Sequence, residues 1–194
     1  FFLNTINKMD IIKTLRNGGI GVMPTDTIYG LVGSALNKRA VERIYRVRKR
    51  DPKKPFIILI SSLSELKKFG VKLESRHEKI LKNLWFTAPV PRKIEGSKAE
   101  GSGPVSVIMP CNPKKFRYLH RGTNTLAFRV PKDKKLRVFL KRTGPLVAPS
   151  ANISGRPPAK TIKEAKKYFG DRVDFYVDGG LIKGSPSVIL ELKR

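Results

Sequence analysis

Hydrophobic and polar positions alternate with two different periods along the chain. Ile11, Ile12 and Leu15 recur at helical spacing within residues 10–17, and Gly18-Gly19 behind them supply the residue type that ends a helix in the left-handed conformation. A short apolar run at 20–23, stopped by Pro24, predicts a buried strand that delivers its end to the loop Pro24-Thr25-Asp26-Thr27. From Asn37, a good N-cap, the apolar positions Ala40, Val41, Ile44, Tyr45 and Val47 mark an amphipathic helix. Its end is expected near Asp51-Pro52, because a residue before proline avoids the helical basin. Residues 56–60 form a continuous apolar strand, and 62–69, closed by Gly70, and 75–85 carry two more helical patterns.

Residues 86–103 keep no sustained period and are rich in Gly, Pro and Ser, the signature of a long flexible loop. Beyond it, 105–109, 126–130, 146–148, 173–177 and 188–192 read as strands, with helices at 132–142 and 162–169. Strands and helices alternate without a strict strand–helix–strand repeat. The expectation is a single α/β domain over residues 1–194, built on a twisted mixed sheet of parallel and antiparallel strands with flanking helices.

Charge sharpens this picture. The 194 residues hold 41 Lys or Arg against 15 Asp or Glu, a formal net charge of +26. A globular surface with that excess repels itself unless a polyanion or phosphorylated ligand neutralises it, so nucleic acid or a nucleotide is the natural partner class. The 40% hydrophobic content suffices for a packed core and excludes global disorder. No apolar run approaches the roughly 18–20 residues of a membrane span, and no signal-peptide layout precedes the first helix. These features predict a soluble, cytoplasmic protein, and Phe1 points to a trimmed N-terminus. One cysteine, Cys111, and two histidines, His77 and His120, provide neither a disulfide framework nor a Cys/His zinc constellation.

The sequence has no GxxxxGK[ST], no GxGxxG opening a helix, and no second histidine to complete HExxH after His77-Glu78. Three polar segments remain, each following an apolar element: Pro24-Thr25-Asp26-Thr27-Ile28-Tyr29-Gly30, Arg48-Lys49-Arg50-Asp51-Pro52-Lys53-Lys54-Pro55, and Pro149-Ser150-Ala151-Asn152-Ile153-Ser154-Gly155-Arg156-Pro157. Arg48 and Arg50 stand two apart. Once Pro52 extends the chain, that spacing aims two guanidinium forks to one side, where they can clamp a polyphosphate. Ser150 and Asn152 share the spacing and can hold ribose, phosphate or an α-amino acid by hydrogen bonds. Taken singly, Thr25, Thr27 and the Pro-Ser-Ala-Asn segment read better as ordinary turns.

In combination and order, these segments, with Thr125-Leu126-Ala127-Phe128-Arg129-Val130-Pro131, closely resemble the YrdC-like family of threonylcarbamoyl-adenylate synthases, over residues 18–190. The resemblance implies a short single-domain nucleotidyltransferase with a basic concave face. It would make L-threonylcarbamoyl-AMP and pyrophosphate from L-threonine, bicarbonate and ATP, the first step of t6A modification of tRNA. Carried over by position, it implies Thr25, Arg129, Ser150 and Ser187 around threonine, and Arg48, Arg50, Pro52, Thr125 and Asn152 at ATP. Arg48 and Arg50 would be the catalytic charges, and Mg2+ would arrive with ATP without a protein metal site. Implied partners are tRNA and the machinery of t6A transfer, with no membrane. The sequence departs from the family at Arg48, where lysine is usual, at Leu59, where longer members have histidine, and in the separation of Trp85 from Gly103-Pro104. The resemblance is to the short single-domain form, without the second C-terminal domain expected of longer members. Two other readings fit the same residues: an RNA-binding protein of this fold with weak or no catalysis, and the carbamoyl-adenylate-forming domain of a hydrogenase maturation factor.

Overall fold

The computed structural model describes residues 8–87 and 104–192. Helix α1 (Lys8–Arg16) buries Ile11, Ile12 and Leu15, as their spacing requires, and Gly18, at φ 85°, turns the chain into strand β1 (Ile20–Pro24). A turn at 25–28 returns it as β2 (Tyr29–Ser34), antiparallel to β1 in the register Ile20↔Gly33 to Pro24↔Tyr29. β2 lies outside the sequence-based expectation. It is buried on both faces, so it shows no alternation, and its two glycines weigh against a strand.

Helix α2 (Lys38–Arg48) starts at Asn37, whose Oδ1 accepts from the Ala40 N–H at 3.1 Å. It ends at Lys49, held at φ 50°, where the Lys49 and Arg50 N–H groups donate to the Arg46 and Tyr45 carbonyls. The expected stop at Asp51-Pro52 is corrected: a left-handed cap closes the helix before the proline can act. Strand β3 (Ile57–Leu59) leads to the expected helix at Leu63–Phe69, of 3-10 type and closed by Gly70, and then to α3 (Ser75–Lys82). The expected helix to residue 85 instead passes into a π turn, Asn83–Thr87, which takes in the first two residues of the expected 86–103 loop; residues 88–103 lie outside the described residues.

The chain continues with β4 (Val105–Pro110), a one-turn helix α4 (Arg117–His120) too short to leave a periodic signal, β5 (Thr125–Arg129) and α5 (Lys134–Thr143). It ends with β6 (Leu146–Val147), α6 (Ile162–Phe169), β7 (Phe175–Tyr176) and β8 (Val188–Glu191). The strands form one mixed sheet in the order β7-β1-β2-β6-β3-β5-β4-β8, parallel at β1/β7, β3/β5 and β4/β8 and antiparallel elsewhere.

Successive side chains of a strand point to opposite faces of the sheet. On one face Val22, Leu31, Ile58, Val107 and Phe128 enter the main core together with Val41 and Ile44 of α2. On the other, Met23, Val32, Leu59 and Leu146 are closed over by Ile11 and Leu15 of α1 and by Leu136 and Phe139 of α5. Further along that second face the register aligns Ile57 with Ala127 and Ala127 with Ile108, and sets Ser106 opposite Ile189. Ile57, Ala127 and Ile108 are half-buried and Ile189 is 49% exposed, so this strip of sheet is open among the described residues. Thr125, Ala127 and Arg129 alternate onto it from β5.

Candidate active site

Arg48 closes α2 with its guanidinium turned inward, 2% exposed. Nε donates to the Asn152 carbonyl at 3.0 Å, and Nη2 donates to Asn152 Oδ1 at 2.9 Å and Ser150 Oγ at 3.2 Å. Burial and the neighbouring Arg50 charge push its pKa down to about 10, so it is charged at neutral pH. Its Nη1 is buried without a hydrogen-bond partner among the described residues. The segment that receives Arg48 is itself fixed by β2: the Leu31 N–H donates to the Pro149 carbonyl, the Ala151 N–H donates to the Tyr29 carbonyl, and Gly30 bridges Ser150. Asn152 commits its Nδ2 hydrogens to the Ile153 and Arg156 carbonyls, which leaves it a holder of Arg48.

Arg50 follows the left-handed Lys49. Its Nε donates to the Lys54 carbonyl at 3.1 Å, and its guanidinium lies 5.4 Å from the centre of the Phe56 ring. Arg48 and Arg50 line the same hollow, as the sequence predicts, but the turn at Lys49 brings them there and not an extended chain before Pro52.

Opposite them, Thr25 Oγ1 donates to the Ile28 carbonyl at 2.7 Å and lies 3.1 Å from Thr27 Oγ1, a hydroxyl-braced turn between β1 and β2. Asp26 projects from that turn to Arg129 at the end of β5. Arg129 Nη2 donates to Asp26 Oδ1 at 2.8 Å, and the Lys132 N–H donates to Oδ2 at 3.1 Å. Burial lowers the Arg129 pKa and the Asp26 carboxylate opposes that shift. Arg129 Nε is buried without a partner among the described residues.

The connection from β7 to β8 forms the remaining wall. The Tyr29 hydroxyl donates to the Gly180 carbonyl at 2.8 Å and accepts from the Gly179 N–H at 2.8 Å, and burial raises its pKa, which keeps it a donor. A Cβ on Gly184 would stand 1.8 Å from the Thr27 carbonyl oxygen, so only glycine allows this backbone approach. Ser187, at the end of the connection, has its Oγ 2.9 Å from Oγ of the fully buried Ser106.

These pieces enclose a hollow of about 210 Å³ lined by Thr25, Arg48, Arg50, Arg129, Ser150 and Ser187, with Phe56, Ile57 and Ile189 on its apolar side. The other sequence-expected residues do not line it. Pro52 is exposed in the turn after α2, Asn152 lies behind Arg48, and Thr125 stands at the opposite end of β5 from Arg129, on the same open face. A larger hollow of about 670 Å³ between the segments 70–77 and 109–114 contains none of the motif residues, and burial raises the pKa of its Cys111 thiol. We therefore place the site in the smaller one, where the polar groups converge.

Asp26, Ser106 and Gly184 are additions that sequence reasoning missed. Ser106 had a local signal, a polar residue inside an apolar strand; Gly184 had none, because its role is a backbone approach across the fold. Among the described residues no group of three or more His, Cys, Asp or Glu is placed to hold a metal ion, and no helix is long and apolar enough to cross a membrane.

Comparison with known proteins gives a consistent result. Residues 13–194 match the Sua5/YciO/YrdC family profile, described as telomere recombination. The threonylcarbamoyl-AMP synthase of Coxiella burnetii (strain RSA 493) is 30% identical over 89% of this chain and 84% of its own length. That of Pyrococcus abyssi is 28% identical over 92% of this chain and 48% of its own length, and that of Bacillus subtilis 28% over 86% and 44%. The chain thus spans about half the length of these two relatives. Among solved structures, P. abyssi Sua5 complexed with L-threonine aligns with a TM-score of 0.79 at 26% identity, covering 97% of this chain and 52% of that one. E. coli YciO shares the fold, with a TM-score of 0.76 at 23% identity over 98% of this chain and 87% of that one. A profile matched from residue 13 to residue 194, on the fold that Sua5 and YciO share, leaves one assignment: the chain belongs to the Sua5/YciO/YrdC family.

Proposed function

We propose that this chain is an L-threonylcarbamoyladenylate synthase, a nucleotidyltransferase that makes threonylcarbamoyl-AMP and pyrophosphate from L-threonine, bicarbonate and ATP for t6A modification of tRNA. The observation that carries the reading is the convergence of three arginines and the hydroxyls of Thr25, Thr27, Ser150 and Ser187 on one hollow. Arg129, braced by Asp26 with Nε uncommitted, pairs with the threonine carboxylate, and Thr25, Ser150 and Ser187 bind threonine around it. Arg48 and Arg50 face the phosphates, whose charge relieves the repulsion between the two guanidinium groups. The open strip of Ile57, Ala127, Ile108 and Ile189 offers an apolar floor for the base and runs toward Thr125. The threonine complex of P. abyssi Sua5 supports the amino-acid half of this reading.

In the reaction, the threonine amine adds to the bicarbonate carbon with loss of water and gives a carbamate. A carbamate oxygen then attacks the α-phosphorus of ATP, forming one P–O bond as the bond to pyrophosphate breaks. The protein supplies orientation, and Arg48 and Arg50 stabilise the charge that gathers on the transferring and departing phosphates. Mg2+ would arrive with ATP, neutralising phosphate charge, and Arg48 and Arg50 would share that task from the protein side. The net charge of +26 supports tRNA as a polyanionic partner, and the proposed reaction adds the t6A transfer machinery and a cytoplasmic setting.

Pyrophosphate release from ATP, measured with and without threonine and bicarbonate, tests the reading. Turnover that needs both, with threonylcarbamoyl-AMP as product, is expected. Turnover without threonine that needs a carbamoyl donor such as carbamoyl phosphate favours a maturation-type carbamoyl adenylation, and no turnover with either substrate set favours an RNA-binding protein.

A further inference from the structure

Arg48 is fixed by three hydrogen bonds to 150–152, whereas Arg50 reaches the hollow from an exposed turn. Among the described residues its terminal Nη2 meets only the Pro55 carbonyl, at 3.5 Å. A free arginine side chain has several rotatable bonds, so a phosphate contact made from this position needs something to aim it. The structure places a column of side chains behind it. The Arg121 guanidinium lies 4.0 Å from the Tyr45 ring centre, Tyr45 and Phe56 stack with centroids 4.0 Å apart at 25°, and Arg50 lies over the far face of this pair, 5.4 Å from the Phe56 centre. Tyr45 and Phe56 are 5% and 4% exposed, so the aromatic part is packed and the two cations cap it.

Hydrogen bonds lead to the same pair. The Tyr45 hydroxyl donates to the Lys54 carbonyl at 3.0 Å, and Arg50 Nε donates to that same oxygen at 3.1 Å. The Arg50 N–H donates to the Tyr45 carbonyl at 3.1 Å. Tyr45 therefore meets Arg50 at its peptide nitrogen, through a shared acceptor at its guanidinium, and across one ring.

Resting on the reading of Arg50 as a phosphate contact, we propose that Tyr45, acting with Phe56, is a positioning residue that aims the Arg50 guanidinium at the phosphates of the bound nucleotide without touching substrate. Its contribution is made before ATP arrives: the fork is already oriented, and less freedom is lost on binding.

A double-mutant cycle on Tyr45→Leu and Arg50→Ala, read as kcat/KM for ATP and KM for threonine in pyrophosphate release, tests this. Arg50→Ala alone establishes the premise; unaltered turnover there removes Arg50 from the site and the proposal with it. With that loss in hand, Tyr45→Leu is expected to lower kcat/KM for ATP about tenfold, as misplacement of a charge contact does, and to leave the KM for threonine unchanged. In the Arg50→Ala background the same substitution is expected to cost nothing further. Additive losses, a raised threonine KM, or no loss at all overturn the positioning role. Should Tyr45→Leu fail to fold, Tyr45→Phe keeps the stack and removes only the hydroxyl. Its expected loss is about fivefold in the wild-type background and none with Arg50→Ala, and equal effects in both overturn the proposal.

Discussion

Arg129 and Asp26 meet through a 2.8 Å hydrogen-bonded ion pair in which each side chain is only 5% exposed. A pair withdrawn that far from water has lost most of its hydration, so removing one partner strands the other. Asp26→Ala is expected to lower folding stability by about 3–5 kcal/mol. Threonine should then stabilise the variant more than the wild type, because its carboxylate becomes the remaining counter-charge of Arg129. Thermal unfolding with and without threonine checks this, and an equal shift in both proteins counts against it.

The Asp26–Arg129 pair also marks where sequence reasoning stops. The spacing of Ala40, Val41, Ile44 and Tyr45 makes α2 legible, because burial of one face imposes a helical period on the chain itself. The apolar run that becomes β4 is legible for the same kind of reason. β2 is not, since two glycines in six residues leave it neither an alternation nor an unbroken apolar run. In the site, Thr25, Arg48, Arg50 and Ser150 stand in segments whose polar residues follow apolar elements, and they converge. Asp26 lies in the first of these segments, yet its partner is 103 residues away and nothing local joins the two. The same holds for Ser106 with Ser187 and for Gly184 against Thr27, contacts set by the packing of the whole sheet and its crossovers.

Gly184 leads to a second prediction. A methyl group cannot stand 1.8 Å from the Thr27 carbonyl oxygen, so in Gly184→Ala the connection near residue 184 must move away from the β1–β2 turn. Ser187 moves with it. The KM for threonine is expected to rise about tenfold or more, while the sheet, to which residue 184 contributes no strand pairing, persists. Steady-state kinetics and circular dichroism together check this; an unchanged KM in a folded variant would remove the connection from the threonine site.

Asp174 contributes to the acid limb of stability. Burial alone would raise its pKa, but hydrogen bonds from Arg43 and the Ile20 N–H, with the Arg43 charge, hold the carboxyl below its usual 3.8. For an acid whose folded pKa is depressed, the stabilisation is present above the unfolded value and is lost as pH falls through the folded one. Asp174→Asn should therefore be less stable than wild type at pH 6, with the gap narrowing below about pH 4. Urea unfolding at several pH values from 6 down to about 2 checks the slope, and a gap independent of pH would show that the charge of Asp174 is not what anchors β1.

Arg48 carries a buried guanidinium whose pKa is held down by burial and by Arg50, and no acidic side chain pairs with it among the described residues. Bringing Arg50 close to it raises the free energy of the empty protein, and an anion in the hollow lowers it again. Arg50→Ala removes the repulsion together with the contacts to the Lys54 and Pro55 carbonyls and the Phe56 ring, effects of opposite sign, so the unliganded variant should stay within about 1 kcal/mol of wild type. Its turnover should fall about a hundredfold, the usual scale for loss of one preorganised charge contact. Inorganic pyrophosphate should raise the unfolding temperature of the wild type and do so less in the variant, since only the wild type has both guanidinium groups to relieve. Chemical denaturation, pyrophosphate release and ligand-dependent melting read these quantities separately. If pyrophosphate stabilises both proteins equally, the two arginines do not share an anion, and the phosphate side of the site lies elsewhere.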